Sequence, residues 1–128
     1  MPHCIVRHVD EEELQRREIS DAHRQELNRG SVVLASLLAL RNPGYGYALL
    51  ETLDKAGIPV AGNTLYPLLR RLESQGLLTS EWDTTESRPR KFYRTSRDGE
   101  LLARSLLAEW RRLGAAIDSL DTTEGTQS

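Results

Sequence analysis

The chain has 128 residues and 38% hydrophobic content, enough for one domain with appendages and a modest core rather than a large one. Its single cysteine, Cys4, excludes an internal disulfide and fits a reducing, cytoplasmic setting. No stretch reaches the roughly 18 apolar residues of a membrane-spanning helix, and the first residues lack the apolar run of a secretory leader, so neither membrane nor export is expected.

The formal net charge of −2 does not point to nucleic acid, but the distribution of charge does. Residues 1–29 carry five basic and seven acidic side chains, residues 63–97 seven and four, and residues 98–128 three and six. A basic middle is therefore hidden by acidic flanks, and local sign governs attraction to phosphate.

Residues 1–28 read as a polar, partly helical extension. Asp10 to Leu27 holds good helix formers and neither proline nor glycine. Its apolar residues keep a poor helical period, so the sequence assigns it no docking face. His3, Cys4 and His8 lie close together but fall short of the four ligands of a structural zinc site, so no metal is expected.

Residues 29–96 carry a helix-turn-helix pattern followed by a hairpin. Val32 to Leu40 is almost wholly apolar and suits a buried helix of about three turns. Asn42-Pro43-Gly44 stops it, and Tyr45 to Lys55 reads as a second helix, broken at Gly57-Ile58-Pro59. The third helix begins near residue 62. Leu65, Leu68, Leu69 and Leu72 line one face of it, and Gly76 supplies the left-handed residue that ends it. Asn63, Thr64 and Tyr66, with Arg70 one turn on, lie on the opposite face, among helix amides that suit phosphate. Asn63 or Thr64 can cap this helix, the role favoured for Asn63 over reading a base edge. Three short helices, the third with an apolar back and a polar tip, match the helix-turn-helix plan.

Leu77–Trp82 and Arg90–Thr95 read as two strands around a polar loop, a wing placed straight after the recognition helix. Residues 88–97 hold five basic residues and no acidic one, more than protection of a strand edge requires, which favours phosphate contact by Arg88, Arg90 and Lys91.

Ser96 can cap a last helix over residues 97–120, with Asp98 and Glu100 well placed for its dipole. Leu102, Leu106, Trp110, Leu113, Ile117 and Leu120 then form a heptad-type seam. So long a stripe exceeds what a small core needs, and a second copy of the chain is expected against it. Residues 121–128 read as a disordered tail. The fold expected is mainly α with a small β-hairpin: a winged helix-turn-helix plus a C-terminal dimerisation helix. No Gly-rich phosphate loop, Cys/His pair or carboxylate pair sits in a catalytic setting, so neither enzymatic activity nor a cofactor is expected.

Gly44-Tyr45-Gly46-Tyr47, Asn63-Thr64-Leu65-Tyr66-Pro67-Leu68-Leu69-Arg70-Arg71-Leu72-Glu73, Gly76-Leu77-Leu78, Arg88-Pro89-Arg90-Lys91-Phe92-Tyr93-Arg94 and Gly99 together resemble the PadR-like transcriptional regulators over about residues 29–117. The resemblance implies a bacterial, usually repressing regulator that binds double-stranded DNA as a homodimer on a dyad-symmetric operator. It implies DNA contacts by Tyr45, Tyr47, Thr64 and Tyr66, and by Lys91 and its neighbours in the wing. Some members bind a small aromatic effector between subunits, so Trp110 can line such a pocket there or serve simply as a packing anchor of the interface. Asn63 stands where many members have glycine, and the polar extension is longer than the resemblance accounts for. A winged-helix adaptor that binds protein and not DNA is the alternative, favoured mildly by the acidic flanks.

Overall fold

The computed structural model describes residues 2–122, with side chains from residue 10 onward. The expected cluster of His3, Cys4 and His8 falls outside the described side chains, and the expected tail is described only at residues 121 and 122. Two compact units are present, residues 1–32 and residues 33–128.

The first unit is a single helix, α1 (Pro2–Arg29), longer at both ends than the helix expected from residue 10 to 27. Nothing in its sequence stops it before Gly30. It carries Leu14, Ile19 and Leu27 exposed, in line with their poor period, and is laced by exposed pairs such as Arg17 with Glu13 at 3.4 Å.

The second unit runs α2 (Val32–Ala39, its first residue in the first unit), β1 (Gly44–Tyr45), α3 (Gly46–Lys55), α4 (Gly62–Ser74), β2 (Leu78–Asp83), β3 (Arg90–Thr95) and α5 (Arg97–Leu120). Its core is a leucine cluster. Leu34, Leu37 and Leu40 come from α2 and the residue after it, Leu49 and Leu53 from α3, Leu65, Leu68, Leu69 and Leu72 from α4, and Leu78, Tyr93 and Ala103 close it. The four α4 leucines are the stripe that the i, i+3, i+4, i+7 spacing predicts.

Two helices end in the same way. In α3 the amide of Gly57 donates to Asp54 and that of Ile58 to Leu53; in α4 the amide of Gly76 donates to Glu73 and that of Leu77 to Leu72. Gly57 and Gly76 have φ of 88° and 78°, the left-handed conformation this double bond requires. The end of α2 is held differently. Its Leu37 carbonyl accepts from Thr95 Oγ1 at 2.6 Å, and the Leu40 carbonyl accepts from the Thr95 amide at 2.9 Å, so β3 satisfies groups the helix leaves open.

The sheet is three-stranded and antiparallel in the order β1-β3-β2. β2 and β3 pair from Leu78↔Thr95 to Asp83↔Arg90, which is the expected wing. β1 is not foreseen by the sequence pattern: Gly44 pairs with Tyr93 and Tyr45 with Phe92. Tyr45 is therefore strand and N-cap of α3, not part of the helix as the sequence suggests. A strand of two residues has no period to read.

α5 starts as anticipated, with the Ser96 hydroxyl accepting from the Gly99 amide at 3.0 Å. Its N-terminal half packs on the unit through Ala103 and half-buried Leu102 and Leu106. Trp110, Leu113, Ile117 and Leu120 are exposed. A small three-stranded sheet beside a helix-turn-helix, with the hairpin following α4, is a winged helix-turn-helix.

Candidate nucleic-acid interface

The polar end of α4 is uncapped. Its N-cap is Ala61, with extended backbone and no capping side chain. Neither Asn63 nor Thr64 fills that role, a correction to the capping expectation. The chain enters the helix at Gly62, which moves both side chains inside the first turn, beyond the extended backbone that capping requires. Asn63 and Thr64 instead lie exposed on the first turn, whose leading amides no side chain satisfies. Pro67 lies in the second turn, where it removes one helical hydrogen bond next to this tip.

Tyr66 is held by what is missing around it. A Cβ on Gly46 would lie 2.5 Å from Tyr66 Cε1, and one on Gly62 would lie 3.2 Å from Cε2. The ring is thus slotted between two glycines, one opening α3 and one opening α4, and 37% of Tyr66 remains exposed.

Tyr45 and Tyr47 flank Gly46 and stack on each other, with ring centroids 5.6 Å apart and planes 7° from parallel. Arg90 of the wing lies over both. Its guanidinium carbon is 4.5 Å from the Tyr45 centroid and 5.8 Å from that of Tyr47, and Nη1 donates to the Tyr47 hydroxyl at 2.8 Å. Phe92 meets the Tyr45 ring edge-on at 5.9 Å. The Tyr45 hydroxyl donates to Asp83, whose other carboxylate oxygen accepts from the Thr85 amide at 3.1 Å and the Thr85 hydroxyl at 2.7 Å. These bonds to the ionised form hold the Asp83 carboxyl down at about 2 and push the Tyr45 phenol up. Glu86 of the wing loop pairs with Arg90 at 3.1 Å.

A continuous path of contacts therefore runs from the wing to α4: Arg90, Tyr45 and Tyr47, Gly46, Tyr66, and Gly62 beside Asn63. These residues, widely separated in sequence, meet on one surface.

Lys91 takes the other face of β3, as strand alternation dictates. Its ammonium donates to Glu73 Oε1 at 2.9 Å, and Glu73 also accepts from the Ser80 hydroxyl. The hydrogen bond to Glu73 raises the Lys91 pKa, while the bonds from Ser80 and Lys91 lower that of Glu73. Trp82 and Tyr93 lie beside the ammonium at 5.9 and 5.5 Å. Lys91 thus joins the wing to α4 through Glu73. Arg70 and Arg88 are exposed, Arg70 close enough to Lys91 to oppose its charge. The sequence gives no signal for the roles of Asp83, Glu86 and Glu73, because an acidic residue in a basic segment reads as dilution of charge. Among the described residues no group of three or more His, Cys, Asp or Glu is placed to hold a metal, and no helix is long and apolar enough to cross a membrane.

The sequence profile of the transcriptional regulator PadR-like family matches residues 33–105. A transcriptional regulator of Mycobacterium tuberculosis is 39% identical over 89 residues, 69% of this chain and 79% of its own length. The crystal structure of a PadR family transcriptional regulator from Eggerthella lenta is 47% identical, with a TM-score of 0.81, and covers 86% of this chain and 98% of that one. The Bacillus subtilis PadR, solved in complex with operator DNA, shares the fold at 21% identity and a TM-score of 0.56, over 59% of this chain and 45% of that one. The chain belongs to the PadR-like family of transcriptional regulators. Its relatives are regulators and not enzymes, as expected from the lack of a catalytic constellation.

Proposed function

We propose that this chain is a homodimeric repressor that binds a dyad-symmetric operator and releases it on binding an effector. The observation that carries the reading is the path from Arg90 through the stacked tyrosines and Gly46 to Tyr66, which supports a single DNA-facing surface made by wing and recognition helix together. On that surface Asn63, Thr64, Tyr66 and Arg70 enter the major groove, and Tyr45 and Tyr47 flank it. Arg88 and Arg90 meet the backbone, while Lys91 acts from behind through Glu73. The exposed stripe of Trp110, Leu113, Ile117 and Leu120 favours a second copy on α5. That dimer sets two recognition helices about 34 Å apart, one turn of DNA. Trp110 would then stand at the subunit junction, where a flat aromatic effector stacks; saturable quenching of its fluorescence by such compounds is the check.

Footprinting on the DNA beside the gene tests the reading. Two protected segments related by a dyad and spaced by one helical turn are expected. With three or four phosphate contacts in each half, affinity falls by roughly three to four decades between 50 and 200 mM salt. No protection, or equal affinity for scrambled DNA, overturns it.

A further inference from the structure

Asp83 is an anion at the wing end of a surface that the operator-binding reading above turns towards phosphate. Simple electrostatics says it should weaken binding, and that removing it should help. Its hydrogen bonds argue the reverse. One carboxylate oxygen holds the hydroxyl of Tyr45, at the junction of β1 and α3; the other holds the amide and hydroxyl of Thr85, which opens the wing loop. Asp83 sits directly across the sheet from Arg90, yet Arg90 pairs with Glu86 and Tyr47 instead. The carboxylate feels the charge of Arg90, which helps keep it ionised, but its hydrogen bonds go elsewhere. It holds the ring on which Arg90 rests, 4.5 Å below the guanidinium.

We propose that Asp83 is a positioning residue for DNA recognition: by tying Tyr45 to the start of the wing loop, it fixes where Arg90 stands relative to the recognition helix. The inference rests on the operator-binding reading. A guanidinium laid on two stacked rings is pre-organised, so less side-chain entropy is lost when it meets a phosphate. Without the Asp83 bond, the Tyr45 ring is left to its packing against Tyr47, Phe92 and Arg90, and the wing loop is left to the link that runs from Glu86 through Arg90 to Tyr47 of α3. Glu86 is the contrast. It is 65% exposed and its carboxylate pairs with Arg90 itself, so it competes with phosphate.

The test is one of sign, made on the DNA segment protected in the footprint and on a random duplex, with the full chain. Asp83→Asn is expected to weaken binding to the protected segment by about tenfold, although it removes a negative charge. It also lowers the salt slope by roughly 0.9 for each phosphate that Arg90 no longer neutralises, a change that a merely less stable fold would not produce. Tyr45→Phe, which keeps the ring and deletes only the hydroxyl, should reproduce both effects, and the double variant should be no worse than either single one. Glu86→Gln should bind at least as tightly as the wild type. Wild-type or tighter binding by Asp83→Asn, or losses that add in the double variant, would overturn the proposal. A wild-type chain that binds neither DNA would instead overturn the operator reading, and the role of Asp83 with it.

Discussion

At Gly99 a methyl group has nowhere to go. A Cβ there would lie 2.1 Å from the Leu77 carbonyl oxygen and 2.8 Å from Thr95 Cγ2. The first of these is backbone, pinned because the same carbonyl accepts from the Ser96 amide at 3.0 Å. α5 must therefore lift off the sheet. We expect Gly99→Ala to cost about 2–4 kcal/mol, read as a lowered midpoint in urea. Gly46 presents the same arithmetic with a different outcome. Its Cβ would meet the Tyr66 ring, the outer part of a side chain that can swing. Gly46→Ala is expected to leave the melting temperature within a few degrees of the wild type while weakening operator binding, because Tyr66 is turned out of its slot. Equal damage to stability and binding would show that the ring is core and not contact. Both glycines fall within segments that carry the family resemblance, but the group each one meets most closely, the Leu77 carbonyl for Gly99 and the Tyr66 ring for Gly46, lies 20 residues or more away. Sequence spacing holds no information on that distance.

The elements differ in how plainly the chain announces them. α4 and α5 follow from apolar spacing and, for α5, from Ser96; all four α4 leucines are buried and the Ser96 cap forms. β1 is invisible to pattern reading, since its two residues pair with Tyr93 and Phe92, nearly fifty positions on. The α4 cap escapes the sequence because Ala61 has no polar side chain to signal the role its extended backbone gives it. What joins the elements is carboxylate chemistry: Glu73 ties α4 to Ser80 and Lys91, and Asp83 ties the wing to Tyr45. Both carboxyls are held below their ordinary pKa, Asp83 at about 2 where a free aspartate sits at 3.8. A depressed folded-state pKa gives stability that is present above the unfolded value and lost as pH falls through the folded one. Between about pH 4 and pH 2 the fold should therefore lose stability. In Asp83→Asn that part of the slope disappears, so urea midpoints at pH 6 and pH 2.5 should lie closer together than in the wild type. An unchanged gap would mean that the Tyr45–Asp83 bond does not survive in solution.

At the scale of the whole molecule, the question is what covers the second half of α5. Ile117 is 60% and Leu120 84% exposed, with Trp110 at 56%, on a helix that has already buried the residues its own core needs. Burial of such a stripe against an identical one gains about 25 cal/mol per Å² of apolar surface, and the heptad spacing lets both helices present it at once. The proposed dimer also governs the DNA affinity. Two half-sites engaged by linked modules bind far more tightly than one, because the second is engaged at an effective concentration in the millimolar range. Ile117→Asp places a charge in the middle of that seam at a position exposed in the single chain, so the protomer should fold normally by circular dichroism. Sedimentation should then report half the wild-type mass, and affinity for the dyad should fall by two to three decades, towards that for an isolated half-site, since effective-concentration gains are of that order. A variant that sediments at wild-type mass yet loses the operator would place the seam elsewhere on the molecule. A wild-type chain already monomeric at micromolar concentration would leave only one recognition helix per molecule to read DNA.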